Sequence, residues 1–187
     1  TPFSNQPPAD SPVKPPAMHK RISLFRQVSA GLSCLHSQNI EHRDIKAENI
    51  LLNQKGEAKI ADFGMSKIKA LSTSASRSVS GYNVEGSFKY LAPEVLCDRK
   101  PHSLQSDIYS LAALFWELLA WKRIWSDKSA TDIVHAHLHH ERPLLAADIS
   151  EDLTSLLNDC WSRDPDKRPS AHEVWKRISI LDKNNPE

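Results

Sequence analysis

His42-Arg43-Asp44-Ile45-Lys46-Ala47-Glu48-Asn49 runs directly into the apolar triplet Ile50-Leu51-Leu52, and this stretch decides how the chain is read. A second short apolar run, Ala58-Lys59-Ile60, lies beyond Asn53-Gln54-Lys55-Gly56, whose turn-forming residues predict a tight turn and a small β-hairpin. Asp62-Phe63-Gly64 leaves the second strand at once. The hairpin would fix Asp44 and Asp62, 18 positions apart in sequence, on opposite sides of one small site. Gly64 would let the backbone turn sharply after Asp62. Singly, Asp44 is a capped turn, Asp62 a strand end and Asn49 a loop amide. Their conjunction, with Ala92-Pro93-Glu94 closing a long serine-rich stretch, asks for a common explanation.

Upstream of this centre, Ile22, Phe25, Val28, Leu32 and Leu35 recur at steps of three and four, predicting an amphipathic helix from about Met18 to His36. Residues 1–17 hold six of the twelve prolines and few large apolar side chains, the composition of an extended tail or linker. Downstream, residues 65–88 contain seven serines, Thr73 and Tyr82, a long polar loop. From Asp107 to Trp121 the apolar residues Ile108, Leu111, Leu114, Phe115, Trp116, Leu118 and Leu119 cover most directions around a helix. Such a helix must be buried on most sides, so it is expected to be the central post of the fold. Shorter helices are expected at about 130–139, 150–160 and 171–181, the last opened by a Ser170/Glu173 capping box. The expected class is mainly α, with helices around a central buried helix and a small hairpin beside the key loop. The folded part would span 18–181, with 182–187 as a tail.

The bulk properties are those of an ordinary globular protein: 187 residues, 40% hydrophobic and 25% charged, long enough to bury a core. A formal charge of +1 argues neither for nucleic acid nor for an anionic membrane as the main partner, and neither is expected. Cys34, Cys97 and Cys160 are odd in number and far apart, in no metal or pairing spacing; they read as reduced thiols of a cytoplasmic protein. No apolar stretch reaches transmembrane length. His135, His137, His139 and His140 cluster in one short helix, and His135 and His139 have a usable ligand spacing. Without carboxylates or cysteines beside them they read as surface or packing histidines.

In these three strings the chain resembles the protein kinase family, over residues 18–181, and specifically its large, C-terminal lobe. The resemblance implies phosphoryl transfer from ATP to a protein substrate, with Mg²⁺. That chemistry needs positioning and charge neutralisation more than covalent work by the protein. Asp44 would accept the proton of the substrate hydroxyl, Lys46 would place a positive charge beside the transferring group, and Asn49 and Asp62 would hold Mg²⁺ through hard oxygens. Lys46, Asn49, Leu51 and Asp62 would contact the nucleotide. His42, Phe63 and Gly64 would shape the site, and Asp107 would hydrogen-bond the catalytic-loop backbone. Arg168 would form a buried bidentate pair with Glu94. Lys46 and Gly86-Ser87-Phe88-Lys89-Tyr90 are similar to the serine/threonine type, with Ser87 reaching Asp44 and Lys46. Trp161 after Cys160 resembles the tyrosine-kinase-like group and reads most simply as a core aromatic.

Arg43 would, by the same resemblance, pair with a phosphate on the activation segment, for which Ser72, Thr73, Ser74, Ser76, Ser78, Ser80 and Tyr82 are candidate acceptors; an unphosphorylated flexible loop is the competing reading. Upstream of His42 the sequence has one glycine, Gly31, inside the first helix, so the family's glycine-rich loop and its lysine and glutamate partners are not in this stretch. Two expectations follow. Either the chain is the catalytic half of a serine/threonine kinase, inactive in isolation, or it is a kinase-derived module that binds substrates or regulatory proteins without transferring phosphate. The surface that would meet a small lobe, including Phe63 and the neighbourhood of Leu51, is expected to be apolar and prone to association.

Overall fold

The computed structural model describes residues 14–62, 67–68 and 87–184, with the side chains of residues 67, 68 and 184 outside the description. Phe63, Gly64, Ser72, Thr73, Ser74, Ser76, Ser78, Ser80 and Tyr82 therefore lie outside the described residues.

The first helix, α1 (Met18–Ser37), buries Ile22, Phe25, Val28 and Leu32, the stripe expected from the three-and-four spacing. Its start is tied down rather than loose: Arg21 Nε donates to the Pro16 carbonyl at 2.8 Å, and its Nη1 to the Leu119 carbonyl at 2.7 Å. Pro16, two residues before α1, is thus already held by a side chain of the helix. Two strands follow, β1 (Ile40–Glu41) and, after a single 3₁₀ turn at Ala47–Asn49, β2 (Ile50–Leu52). β2 pairs antiparallel with β3 (Ala58–Ile60) in the register Ile50↔Ile60 and Leu52↔Ala58. The turn between them uses Gly56 at φ 76°, and Asn53 Oδ1 accepts from the amides of Lys55 and Glu57 at 2.9 Å each. A second ladder pairs β1 with β4 (Lys67–Ile68), joining Glu41 to Lys67. Two-residue strands leave no periodicity, which is why pattern reading did not anticipate this ladder.

The centre of the molecule is α3 (Leu104–Ala120), introduced by the single turn α2 (Pro93–Leu96). Every residue from Ser106 to Leu119 on α3 is buried. The helix begins three residues earlier than its apolar run suggests because Ser103 and Ser106 form a reciprocal capping box, and it ends where Trp121 turns left-handed at φ 49°. Phe115 stacks on Phe25 of α1, with ring centroids 3.7 Å apart and planes within 9°. Gly31 lets β3 lie against α1: a Cβ there would stand 3.3 Å from Ile60 Cδ1. Three further helices close the lobe: α4 (Ala130–Leu138), α5 (Glu151–Cys160) and α6 (Ala171–Asn184), the last packed along α1.

The Ser170/Glu173 box that opens α6 is formed, with Ser170 N donating to Glu173 Oε2 at 2.7 Å and Glu173 N to Ser170 Oγ at 3.2 Å. Helix α6 runs to Asn184, not to residue 181, so the expected tail from 182 begins inside a helix. Asp182 takes a 2.6 Å ion pair from Arg26 of α1, a tertiary contact that holds the final turn. Trp161 is a buried core aromatic, and the three cysteines are unpaired. Among the described residues, no helix is long and apolar enough to cross a membrane.

Candidate functional site

The loop between β1 and β2 is pinned by alternate residues. Ile45, Ala47 and Ile50 are buried in the core, which forces Asp44 and Lys46 to face the opening. Beneath the loop stands Asp107 of α3, 1% exposed. Its Oδ2 accepts from the His42 amide at 2.7 Å and its Oδ1 from the Arg43 amide at 2.8 Å, while His36 Nε2 lies 3.1 Å from Oδ2. The contact expected between Asp107 and the loop backbone is present. It counters a strained geometry, since Arg43 adopts φ 72°, a left-handed conformation that costs a β-carbon residue about 1 kcal/mol or more.

His42 is fully buried and works as a fixed neutral tautomer. Its Nε2 is 3.2 Å from the Ala61 carbonyl and its Nδ1 accepts from the Asp44 amide at 3.3 Å. Only a ring with its proton on Nε2 can serve both partners. Burial pushes its pKa below the ordinary histidine value, against the opposing pull of Asp107, Asp44 and Asp62. The carboxylates of Asp44 and Asp62 thus act on one imidazole from the two limbs of the hairpin. Ala61 N donates to the Asn49 carbonyl at 2.8 Å, locking those limbs together just before Asp62, which is exposed and left-handed at φ 61°.

The side chains of the loop form one connected set. Asp44 Oδ2 forms an ion pair with Lys46 Nζ at 2.7 Å and accepts from Asn49 Nδ2 at 2.9 Å; Asn49 Nδ2 also donates to the Asp44 carbonyl at 2.7 Å. Lys46 Nζ donates to Ser87 Oγ at 2.8 Å, so Ser87 joins the site through Lys46. Ser87 opens a 3₁₀ turn at Phe88–Tyr90 that is strapped to α3 twice: Ser110 Oγ donates to the Tyr90 carbonyl and the Tyr90 hydroxyl to Glu117 Oε2, each at 2.8 Å. Leu51 and Leu52 on β2 are 48% and 38% exposed beside this cluster, the apolar surface expected around Leu51.

Glu94 and Arg168 form the expected bidentate pair, Nη1 to Oε1 at 2.7 Å and Nη2 to Oε2 at 2.8 Å, and Arg168 also donates to the carbonyls of Ser162 and Gln105. Arg43, expected to await a phosphate, is held instead by Glu41, whose Oε2 accepts from its Nη2 at 2.7 Å and its Nε at 3.0 Å. Glu41 and Glu117 are the buried acids that sequence reading passed over. A lone carboxylate within the apolar run Leu114-Phe115-Trp116-Glu117-Leu118-Leu119 was the available signal. Glu117 accepts from the Ile124 amide at 2.8 Å and lies 3.6 Å from Arg123, which reaches Glu48 at 2.9 Å. Burial raises the Glu117 carboxyl to about 7, partly offset by the hydrogen bonds from Ile124 and Tyr90. Of the histidine group, His137 is buried with Nδ1 3.1 Å from the Tyr109 hydroxyl, and the rings of His135 and His139 lie 4.1 Å apart.

Comparison with known proteins accounts for this arrangement. A family model described as protein kinase domain matches residues 14–178. The chain belongs to the protein kinase family. This kinase chain is 32% identical over 168 residues to the serine/threonine-protein kinase CTR1 of Arabidopsis thaliana, covering 88% of the chain and 20% of that protein. It is 31% identical over 163 residues to the serine/threonine/tyrosine-protein kinase HT1 of the same plant (87% of the chain, 39% of that protein). It is 37% identical over 157 residues to the mitogen-activated protein kinase kinase kinase mkh1 of Cytospora mali (81% and 8%). The kinase chain therefore spans well under half the length of each of these relatives. Its helical architecture, with a hairpin beside the loop bearing Asp44, is that of the family's large lobe.

Protein kinases generally use ATP and Mg²⁺, and the donor set here suits them. Both amide hydrogens donated by Asn49 Nδ2 go to Asp44, which turns Asn49 Oδ1 into the available oxygen, and Asp62 offers a carboxylate across the hairpin. Hard oxygens, few in number, match a small divalent ion that keeps waters and phosphate oxygens in its shell.

Proposed function

We propose that this chain is the catalytic lobe of a protein serine/threonine kinase, one that transfers the γ-phosphoryl group of ATP to a serine or threonine hydroxyl of a protein. The observation that carries this reading is the state of Asp44. One carboxylate oxygen is committed to Lys46 and Asn49, and Oδ1 has no hydrogen-bond partner among the described residues. A carboxylate oriented through one oxygen presents the other to an incoming hydroxyl, accepting its proton as the oxygen attacks. Lys46, 2.7 Å from Asp44 and 2.8 Å from Ser87, supplies positive charge where negative charge accumulates. The Lys46–Ser87 bond also joins the catalytic loop to the segment preceding Ala92, which supports the serine/threonine reading. Asn49 Oδ1 and Asp62 would hold Mg²⁺, whose role when bound is to neutralise the phosphate oxygens, and Leu51 would floor the nucleotide.

Among the described residues, those proposed to contact ATP are Lys46, Asn49, Leu51 and Asp62. The isolated chain is accordingly expected to bind Mg·ATP weakly and to turn over negligibly, with transfer belonging to the native polypeptide that carries this lobe. The test is Asp44→Asn in that polypeptide, assayed on serine/threonine and tyrosine peptides. Transfer should fall by about a hundredfold or more at an unchanged circular dichroism spectrum. Retained transfer, or a preference for tyrosine, would overturn the assignment.

A further inference from the structure

Glu41 is the least expected acid in the site. It is 3% exposed, at the end of β1, two residues before the left-handed Arg43. One of its oxygens receives both Nε and Nη2 of Arg43, at 3.0 and 2.7 Å. A guanidinium is a bidentate receptor for carboxylate or phosphate, and this edge of Arg43 is filled from within the same loop. The backbone amide of Arg43 is held at the same time by Asp107, so the strained residue next to Asp44 is clamped at both its main chain and its side chain. Glu41 also belongs to the ladder that pairs with β4, placing its strand against the segment that follows Asp62.

We propose that Glu41 is a positioning residue that takes the place of a phosphate on Arg43, so that the catalytic loop of this kinase is ordered without phosphorylation of the segment beyond Asp62. A phosphate arriving at the Nε/Nη2 edge of Arg43 would have to displace a buried carboxylate, which would then stand beside a like charge, an arrangement strongly disfavoured in a low-dielectric setting. This inference deepens the kinase reading and rests on it only for its meaning in activity; the pairing itself can be tested without ATP.

The experiment uses the 187-residue chain with inorganic phosphate as probe, at constant ionic strength against chloride. Thermal unfolding and amide exchange of residues 42–46 are the readouts. Wild type should show the same midpoint and the same protection in phosphate and chloride. Glu41→Gln should lose protection at Arg43 and Asp44 by tenfold or more and regain part of it in phosphate alone, while Glu41→Asp, which keeps the charge, should behave as wild type. The double variant E41Q/R43Q should lose the phosphate response. A wild-type chain protected by phosphate as strongly as Glu41→Gln would overturn the proposal, as would a Glu41→Gln chain whose loop exchanges like wild type. In the native polypeptide, transfer by wild type should survive phosphatase treatment; its loss would overturn phosphate independence. A polypeptide with no transfer at all would instead count against the kinase activity, leaving the exchange result to decide the role of Glu41.

Discussion

Replacing Asp107 by asparagine removes a charge that is buried under the catalytic loop while leaving the shape of the side chain. In the native arrangement two backbone amides, of His42 and Arg43, each donate to a separate carboxylate oxygen at 2.7 and 2.8 Å. An asparagine can accept only at its carbonyl oxygen, so its NH₂ must face one of those N–H groups, which then has no acceptor in a site with 1% exposure. A hydrogen bond to a charged group contributes about 1.5–3 kcal/mol, and stranding a buried donor adds a further penalty of similar order, so the expected loss is about 3–5 kcal/mol. For a chain of this size that is a fall in Tm of about 6–20 °C. Urea unfolding followed by tryptophan fluorescence measures the stability, and hydrogen exchange at His42 and Arg43 locates it. The tenth of a domain's stability that an ordinary surface change removes would be too little. A loss below about 1 kcal/mol, with the His42 and Arg43 amides exchanging as before, would refute the view that α3 holds the catalytic loop through this carboxylate.

The Arg168–Glu94 pair should behave as a buried ion pair: Arg168→Met, which strands Glu94, should cost about 3–5 kcal/mol, and the double change E94M/R168M should cost clearly less than the single one, as read from a double-mutant cycle. For pH, His137 is lowered by burial to about 4 from an ordinary value near 6.5, so between those values the unfolded chain binds the proton and the native one does not. Its contribution is therefore complete above about pH 6.5 and is lost as the pH falls towards 4, by up to about 3 kcal/mol. Glu117, raised to about 7, gives the opposite slope, so wild type should show a flattened profile in this range. His137→Gln should expose a fall in stability with rising pH from about 4.5 to 7, measured as urea unfolding free energy against pH; an unchanged profile would contradict the assignment.

How much of this was legible follows from the range of the interactions. Helix α1 and the central helix announced themselves because burial imposes a period on neighbouring residues, and the Ser170/Glu173 box because both members lie within one turn. The ends were less visible where tertiary contacts set them: α6 continues through Asp182 because Arg26, 156 positions away, grips it. The site divides in the same way. Residue types and order suggested Asp44, Lys46, Asn49 and Asp62 through a resemblance, while nothing local in the sequence joins Lys46 to Ser87 or Asp107 to the loop amides, 41 and 64–65 positions apart. Glu41 was hidden for the opposite reason. A charge two residues from an arginine carries no pattern of its own, and only its 3% exposure and its two contacts with Arg43 single it out.

The strained residues give the arrangement its logic. Arg43 and Asp62, at φ 72° and 61°, are the residue before the proposed catalytic carboxylate and the proposed metal ligand itself. A backbone that costs free energy at two such positions persists only where its surroundings over-determine it. Here the surroundings are Asp107 from α3, Glu41 from β1 and the neutral ring of His42 between Asp44 and Ala61. Each of them acts on main chain or on Arg43, and none reaches the opening where Asp44 faces out. The burden of holding the reactive groups therefore falls on residues that never meet substrate. Changes at Asp107 or Glu41 should therefore loosen the turn at Arg43 and, with it, the setting of the proposed catalytic carboxylate of Asp44.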